Sequence, residues 1–201
     1  MSVANRSPLK YKTHPKKQSF RNIEAAVAYK VTDFNDYISE YENFPKSGIL
    51  FRDISPLLAS PEAMQAAVES FTDQLSHFNA DMIVGIESRG FLFSTLLAYR
   101  LGIGSAMIRK QGKLPGVLIK QNYALEYGEA TLEIQNSAQI RGKSMILIDD
   151  LLATGGTVAA AKLLLERCGA VVAACAVVVE LKALQGRKAV GLPIVSLQSY
   201  D

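Results

Sequence analysis

Cysteine and histidine are scarce in these 201 residues, with two of each. Cys168 falls near the end of a predicted helix and Cys175 inside an apolar strand, with no metal-ligand spacing and no second pair. Both read as reduced, buried thiols, and neither as half of a disulfide or as a nucleophile. His14 and His77 lie near no serine, cysteine or aspartate arrangement that would form a triad, which argues against hydrolase chemistry of that kind. No apolar run approaches the roughly 18 residues of a membrane span, and the first residues lack the apolar core of a secretory signal. The expectation is a soluble, cytoplasmic protein with no membrane partner. A net charge of +3 is too small to argue for nucleic acid but suits a small anionic substrate.

What is present is enough apolar material, 49% of the chain, for one α/β domain with a sizeable core. Residues 1–31 read as a basic, flexible extension: the first 23 carry six lysines and arginines, no acid and little periodicity. The domain is expected over 32–201. Phe34, Tyr37, Ile38 and Tyr41 recur at helical spacing after Thr32, a residue suited to a cap, and a second helix is signalled by Ser60-Pro61 followed by Met64, Ala67, Val68, Phe71, Leu75 and Phe78. Strands and helices then alternate: strand 82–86, helix 91–101, strands 105–109 and 144–149, helix 158–168, strand 171–179. That order predicts a parallel sheet with flanking helices. Residues 123–134 instead alternate polar and apolar about Gly128, which predicts an antiparallel hairpin inserted into the series.

The most informative stretch is Met145–Thr157, an apolar run, then Asp149 and Asp150, then Ala153-Thr-Gly-Gly-Thr157 leading into a helix. Gly155 and Gly156 let main chain approach an anion, Thr154 and Thr157 add hydroxyl donors, and the helix start adds unpaired N–H groups. The turn lacks the lysine of a P-loop and the spacing of a dinucleotide fingerprint. Two carboxylates before a phosphate seat suit a ligand that also carries hydroxyls and a cation. A second apolar strand ends in Glu87-Ser88-Arg89-Gly90, and because ligands lie beyond the carboxyl ends of parallel strands, the two loops can face one pocket. Arg89, with its fork of donors, suits a pyrophosphate. Between them, Ile108–Gly116 sets Arg109, Lys110 and Lys113 beside glycines, the composition of a mobile lid over a polyanion. Phe44–Pro56 is apolar and punctuated by proline and glycine, as a slot for a flat base would be.

ILIDDLLATGGT resembles the signature by which type I phosphoribosyltransferases hold phosphoribosyl pyrophosphate (PRPP), and its DDLLATGGT form is similar to the adenine-using branch. The resemblance covers roughly residues 32–201. It implies the fold of that family with a small N-terminal hood, transfer of the phosphoribosyl group to adenine with release of pyrophosphate, Mg2+ bound with PRPP, and a homodimer. It places Ser88 and Arg89 on the pyrophosphate, with a cis peptide often just before the serine, together with Arg109, Lys110 and Lys113, the last contributed in some cases across the dimer. Asp149, Asp150, Ala153, Thr154, Gly155, Gly156 and Thr157 meet the rest of PRPP. Leu50, Phe51 and Arg52 fall near the adenine, with Glu126 and Tyr127 beside it and Glu126 as the acid or base. No protein-held metal site is implied. Two residues depart from the family: Glu87 stands where aspartate is common, and Lys46-Ser47 where the hood entrance is usually richer in proline. The alternatives are a transferase for hypoxanthine, guanine or xanthine, and a non-catalytic regulator that keeps the fold and binds nucleic acid through its basic leader.

Overall fold

The computed structural model describes residues 31, 33–125, 128–136 and 138–201. Residues 1–30, which hold nearly all of the expected basic extension, and the capping residue Thr32 lie outside them.

The first element corrects an expectation. Phe34, Tyr37 and Ile38 do not begin a helix that reaches Tyr41; Asp33 accepts a hydrogen bond from Asn35 N–H at 2.8 Å and closes a single 3-10 turn, Phe34–Tyr37, after which Ile38 is extended. The chain continues as β1 (Ser39–Glu42), which pairs antiparallel with β2 (Leu50–Asp53) in a small two-stranded sheet. Aromatic spacing of three and four residues fits a turn followed by an alternating strand as well as it fits a helix.

The next elements are α1 (Ser55–Ala59) and α2 (Pro61–Leu75). Ser60 caps α2 by accepting from Ala63 N–H at 3.1 Å, and Pro61 sits where its missing N–H costs nothing. Ala63, Ala67, Phe71 and Leu75 form its buried stripe, and Phe78 follows in a 3-10 turn rather than in the helix. Then come β3 (Met82–Ile86), α3 (Gly90–Leu101), β4 (Gly104–Lys110), β5 (Leu118–Leu125), β6 (Gly128–Gln135), β7 (Ser144–Leu152), α4 (Gly156–Arg167), β8 (Val171–Leu181), α5 (Gly186–Val190) and β9 (Ile194–Tyr200).

The main sheet has the order β5-β6-β4-β3-β7-β8-β9. Five neighbouring strands, β4 to β9, run parallel; the β5–β6 hairpin joins antiparallel onto β4 and so extends one edge. Side chains alternate between two apolar layers, as strand geometry requires. Val84, Ile86, Met145, Leu147, Cys175 and Val177 face α4, while Ile83, Ile146, Ile148, Ala174 and Ala176 face α2 and α3. Phe71 and Phe93 meet edge to face at 6.3 Å in the second layer. Both cysteines are free and buried, as the sequence indicates. Among the described residues no helix is long and apolar enough to cross a membrane.

Candidate active site

Strand β7 passes through both aspartates and does not stop before them, because Leu151 and Leu152 continue the ladder opposite Val179 and Glu180. The turn is therefore short. Ala153 to Gly155 lead straight into α4, with Gly155 at φ 85°, a left-handed conformation that glycine adopts without a Cβ clash. A Cβ on Gly155 would stand 2.6 Å from the Gly186 carbonyl oxygen of α5, so α5 lies directly against the loop. Arg187 holds α5 there: its guanidinium donates to both Glu180 carboxylate oxygens, at 2.6 and 2.7 Å, and to the Ile194 carbonyl at 2.9 Å. The Arg187 contact outweighs burial and keeps Glu180 below the usual carboxylate range. Nothing in the local pattern at Gly186 announces this support.

Arg89 and the continuous run Asp149–Val158 line a concavity of about 220 Å³. Among the described residues the hydroxyls of Thr154 and Thr157 have no protein partner, and the first turn of α4 opens onto the same space. Unpaired N–H groups at a helix start, beside free hydroxyls, form an anion seat.

The second loop reaches the same concavity because α3 begins hard against β7. The position a Gly90 Cβ would take is filled by the Ile148 carbonyl, one residue before Asp149. The Glu87–Ser88 peptide is cis, as the family resemblance implies. Arg89 Nε lies 2.9 Å from Asp150 Oδ2, and its guanidinium carbon lies 5.6 Å from the centre of the Phe51 ring on β2. One side chain thus joins the aspartate end of the site to the hood. Asp149 and Asp150 are each only 8% exposed, and Asp149 accepts from Asp150 N–H at 2.9 Å. Burial, and after it the neighbouring Asp150 charge, push the Asp149 carboxyl well above its ordinary range. A hydroxyl-rich ligand with a cation would relieve that charge.

The basic segment makes internal contacts at its root. Arg109 and Lys110 end β4, and Arg109 spends its guanidinium on Glu87, at 3.3 and 3.4 Å, and on the Lys113 carbonyl at 3.0 Å. Glu87 also accepts from Lys110 N–H at 2.8 Å. Burial pushes Glu87 up, but the Lys110 N–H and Arg109 contacts outweigh it and leave the carboxyl below its usual range. The loop beyond is pinned as well: Gly112 N–H donates to Glu133 at 2.9 Å, and the Gln135 amide donates to the Pro115 carbonyl at 3.2 Å. Lys110 and Lys113 are exposed and do not line the concavity.

In the hood, Phe44 and Phe51 meet edge to face at 5.1 Å, and Leu50 is 41% exposed beside them. Arg52 is engaged elsewhere: its guanidinium pairs with Glu40 and stacks on the Tyr200 ring at 3.7 Å, while Tyr200 donates to Asn35 Oδ1 at 2.7 Å. Its side chain ties the hood to β9. Glu126 and Tyr127 lie outside the described residues. Their neighbours Leu125 and Gly128 pair across the hairpin, and the Ala124 carbonyl is 3.9 Å from where a Gly156 Cβ would stand. The end of β5 at Ala124 therefore lies beside the Gly155–Gly156 turn. Two carboxylates suit a magnesium shared with a diphosphate, since that ion is commonly held by one or two acids plus substrate phosphates. The described residues contain no cluster of three or more acidic, histidine or cysteine ligands for a cage of their own.

Residues 55–198 match the phosphoribosyl transferase domain family. The chain is 47% identical over 169 residues to the adenine phosphoribosyltransferase of Rhodospirillum rubrum, covering 84% of this chain and 99% of that one. Its fold superimposes with a TM-score of 0.80 on the adenine phosphoribosyltransferase of Thermoanaerobacter pseudethanolicus, at 42% identity over 83% of this chain and 98% of that one. The corresponding values for the Saccharomyces cerevisiae enzyme, solved with adenine and an imino-altritol bisphosphate, are 0.79, 40%, 82% and 96%.

Proposed function

This chain belongs to the phosphoribosyl transferase family, and from that premise we propose that it acts as an adenine phosphoribosyltransferase, joining adenine to C1 of PRPP and releasing AMP and pyrophosphate. The observation that carries the reading is Arg89, which reaches from Asp150 at 2.9 Å to the face of Phe51 at 5.6 Å and so links a diol and phosphate seat to a flat apolar slot.

As the bond from C1 to pyrophosphate lengthens, negative charge gathers on the leaving group and the ribose becomes oxocarbenium-like. Asp149 and Asp150 hold the ribose hydroxyls and offset the positive charge, while Ala153–Thr157 and the start of α4 seat the 5-phosphate. Arg89, Arg109, Lys110 and Lys113 oppose the charge growing on pyrophosphate, acting as donors set in place before the reaction. Asp149 and Asp150 would help hold a magnesium ion bound together with the diphosphate, and that ion would supply further neutralisation of the leaving group. Arg109 exchanges Glu87 for pyrophosphate on closure. Adenine rests against Phe51 and Leu50, and backbone groups near Arg52 match its amine donor and ring acceptor; hypoxanthine inverts that pair and leaves them unsatisfied.

Glu126, next to Tyr127 in the sequence between β5 and β6, takes the imidazole proton of adenine. Glu126→Ala is expected to lower kcat by about two orders of magnitude with KM for PRPP little changed, the range for lost proton transfer. An unchanged kcat in steady-state assays removes Glu126 from the chemistry.

A second copy of the chain completes the assembly. Leu92, Leu96 and Tyr99, the last 88% exposed, form one uncovered stripe on α3 with Met107 also exposed, which supports a homodimer. Two free buried thiols suit the reducing cytoplasm. The test of the reading is incubation with magnesium, PRPP and each purine base in turn. AMP from adenine and no product from hypoxanthine, guanine or xanthine is the expected result; nucleotide from an oxopurine alone overturns the substrate.

A further inference from the structure

Glu133 is 0% exposed and takes no part in the chemistry above. It stands at the centre of a cross-strand row, opposite Arg109 of β4 on one side and Lys120 of β5 on the other. Its two carboxylate oxygens are divided: Oε1 meets Lys120 Nζ at 2.8 Å and Oε2 accepts from Gly112 N–H at 2.9 Å. The second bond falls where the β4–β6 ladder gives out. Lys110 still pairs with Leu132 and Gln111 N–H still reaches the Thr131 carbonyl at 3.1 Å, but Gly112 turns away at φ 78° and its N–H would lose a backbone partner. The carboxylate replaces that partner one residue before Lys113. A buried acid needs partners of this kind, and this one finds them in the basic loop and the hairpin at once.

We propose that Glu133 is a positioning residue that fixes the root of the basic loop, so that Arg109, Lys110 and Lys113 are presented to the pyrophosphate of PRPP from one defined turn. The inference rests on the phosphoribosyl transfer reading and adds the residue that sets the geometry of its lid. Without the acceptor, the turn at Gly112 opens locally and the lid cations must be ordered by the ligand, which weakens binding of PRPP and leaves the base slot untouched.

Glu133→Met and Glu133→Gln separate this role from ordinary packing. Both fill the buried space, but only glutamine keeps an oxygen for Gly112 N–H; Lys120 is half exposed and remains solvated in either. Glu133→Met is expected to raise KM for PRPP about tenfold, with KM for adenine unchanged, while Glu133→Gln stays within about twofold of the wild type, the scale expected for a displaced binding segment. Trypsin cleavage after Lys110 and Lys113, followed without substrate, is expected to run about tenfold faster in Glu133→Met than in the other two. Equal KM for PRPP in all three proteins, an equal rise in both variants, or equal cleavage rates overturns the proposal. A wild type that forms no AMP defeats the transferase reading instead, and the cleavage comparison still decides the role of Glu133.

Discussion

Replacing Asp149 and Asp150 together by asparagine is expected to weaken kcat/KM for PRPP by at least about a thousandfold, roughly 4 kcal/mol, the sum of two charge-assisted hydrogen bonds to ribose hydroxyls. The same change should leave the free protein no less stable at neutral pH. Asp149 is buried against a second carboxylate, and that environment raises its pKa above the ordinary aspartate range. The sign follows from proton binding. Between about pH 4, where an unfolded aspartate ionises, and the raised folded value, the folded state keeps a proton the unfolded chain has lost. Stability therefore falls as pH rises through that window, and above it the full penalty of the charged pair is present. Asparagine cannot ionise, so the variant's melting temperature should be flat across the window in which the wild type declines. Arg89, no longer paired with Asp150, is partly exposed and stays hydrated. Calorimetric titration with PRPP and melting curves at several pH values measure the two effects; an unchanged dissociation constant removes the aspartates from the ribose site. The expected gain in stability with loss of binding marks a site whose charges are retained for the ligand at a cost to the free fold.

How far the chain was legible depends on the distance over which each feature is encoded. The β7–α4 unit is local, an apolar strand, a glycine turn and a helix start, and its residues line one concavity as their order implies. The β5–β6 hairpin is equally local and pairs as its alternation indicates. The helix expected from Thr32 failed because four aromatic and aliphatic residues satisfied two periods at once, and Asp33 chose the turn. Features joined across the chain had no local signal. Arg52 meets Tyr200 only because β9 lies beside the hood, and Gly186 meets Gly155 only because Glu180 and Arg187 hold α5 in place. The composition of Ile108–Gly116 indicates a mobile lid, and the structure adds that Glu87, just after β3, and Glu133 on β6 accept hydrogen bonds at its root, though neither acid belongs to the segment. The sequence pattern marks Arg109 as a ligand group, and the structure adds an internal partner, Glu87, that no local pattern around Arg109 announces.

The two glycines of the phosphate loop should fail in different ways when each is replaced by valine. At Gly155 the backbone is left-handed, a conformation that costs a β-branched residue about 1–3 kcal/mol. The added carbon also stands 2.6 Å from the Gly186 carbonyl, and that segment cannot retreat freely because the Cβ direction of Gly186 is itself filled by the Ala153 carbonyl. Loop and α5 must therefore part. Gly155→Val is expected to lower the melting temperature by about 5–10 °C for a chain of this size, and kcat/KM for PRPP by about a thousandfold as the seat loses its shape. At Gly156 the backbone is ordinary, and among the described residues, its chain neighbours and its own helix backbone aside, no atom lies nearer than 3.9 Å to an added Cβ. Valine there costs the helix start less than about 1 kcal/mol, and its bulk goes into the space that faces Thr154 and the Ala124 carbonyl. Gly156→Val should accordingly melt within a few degrees of the wild type, while its affinity for PRPP drops by about a hundredfold or more because main-chain N–H groups can no longer approach the phosphate. Melting curves and PRPP titration on both variants are sufficient. If Gly156→Val binds PRPP as the wild type does, the phosphate is not seated on this turn; if Gly155→Val is as stable as Gly156→Val, α5 does not support the loop, and the buttress formed by Gly186, Arg187 and Glu180 has no part in shaping the site.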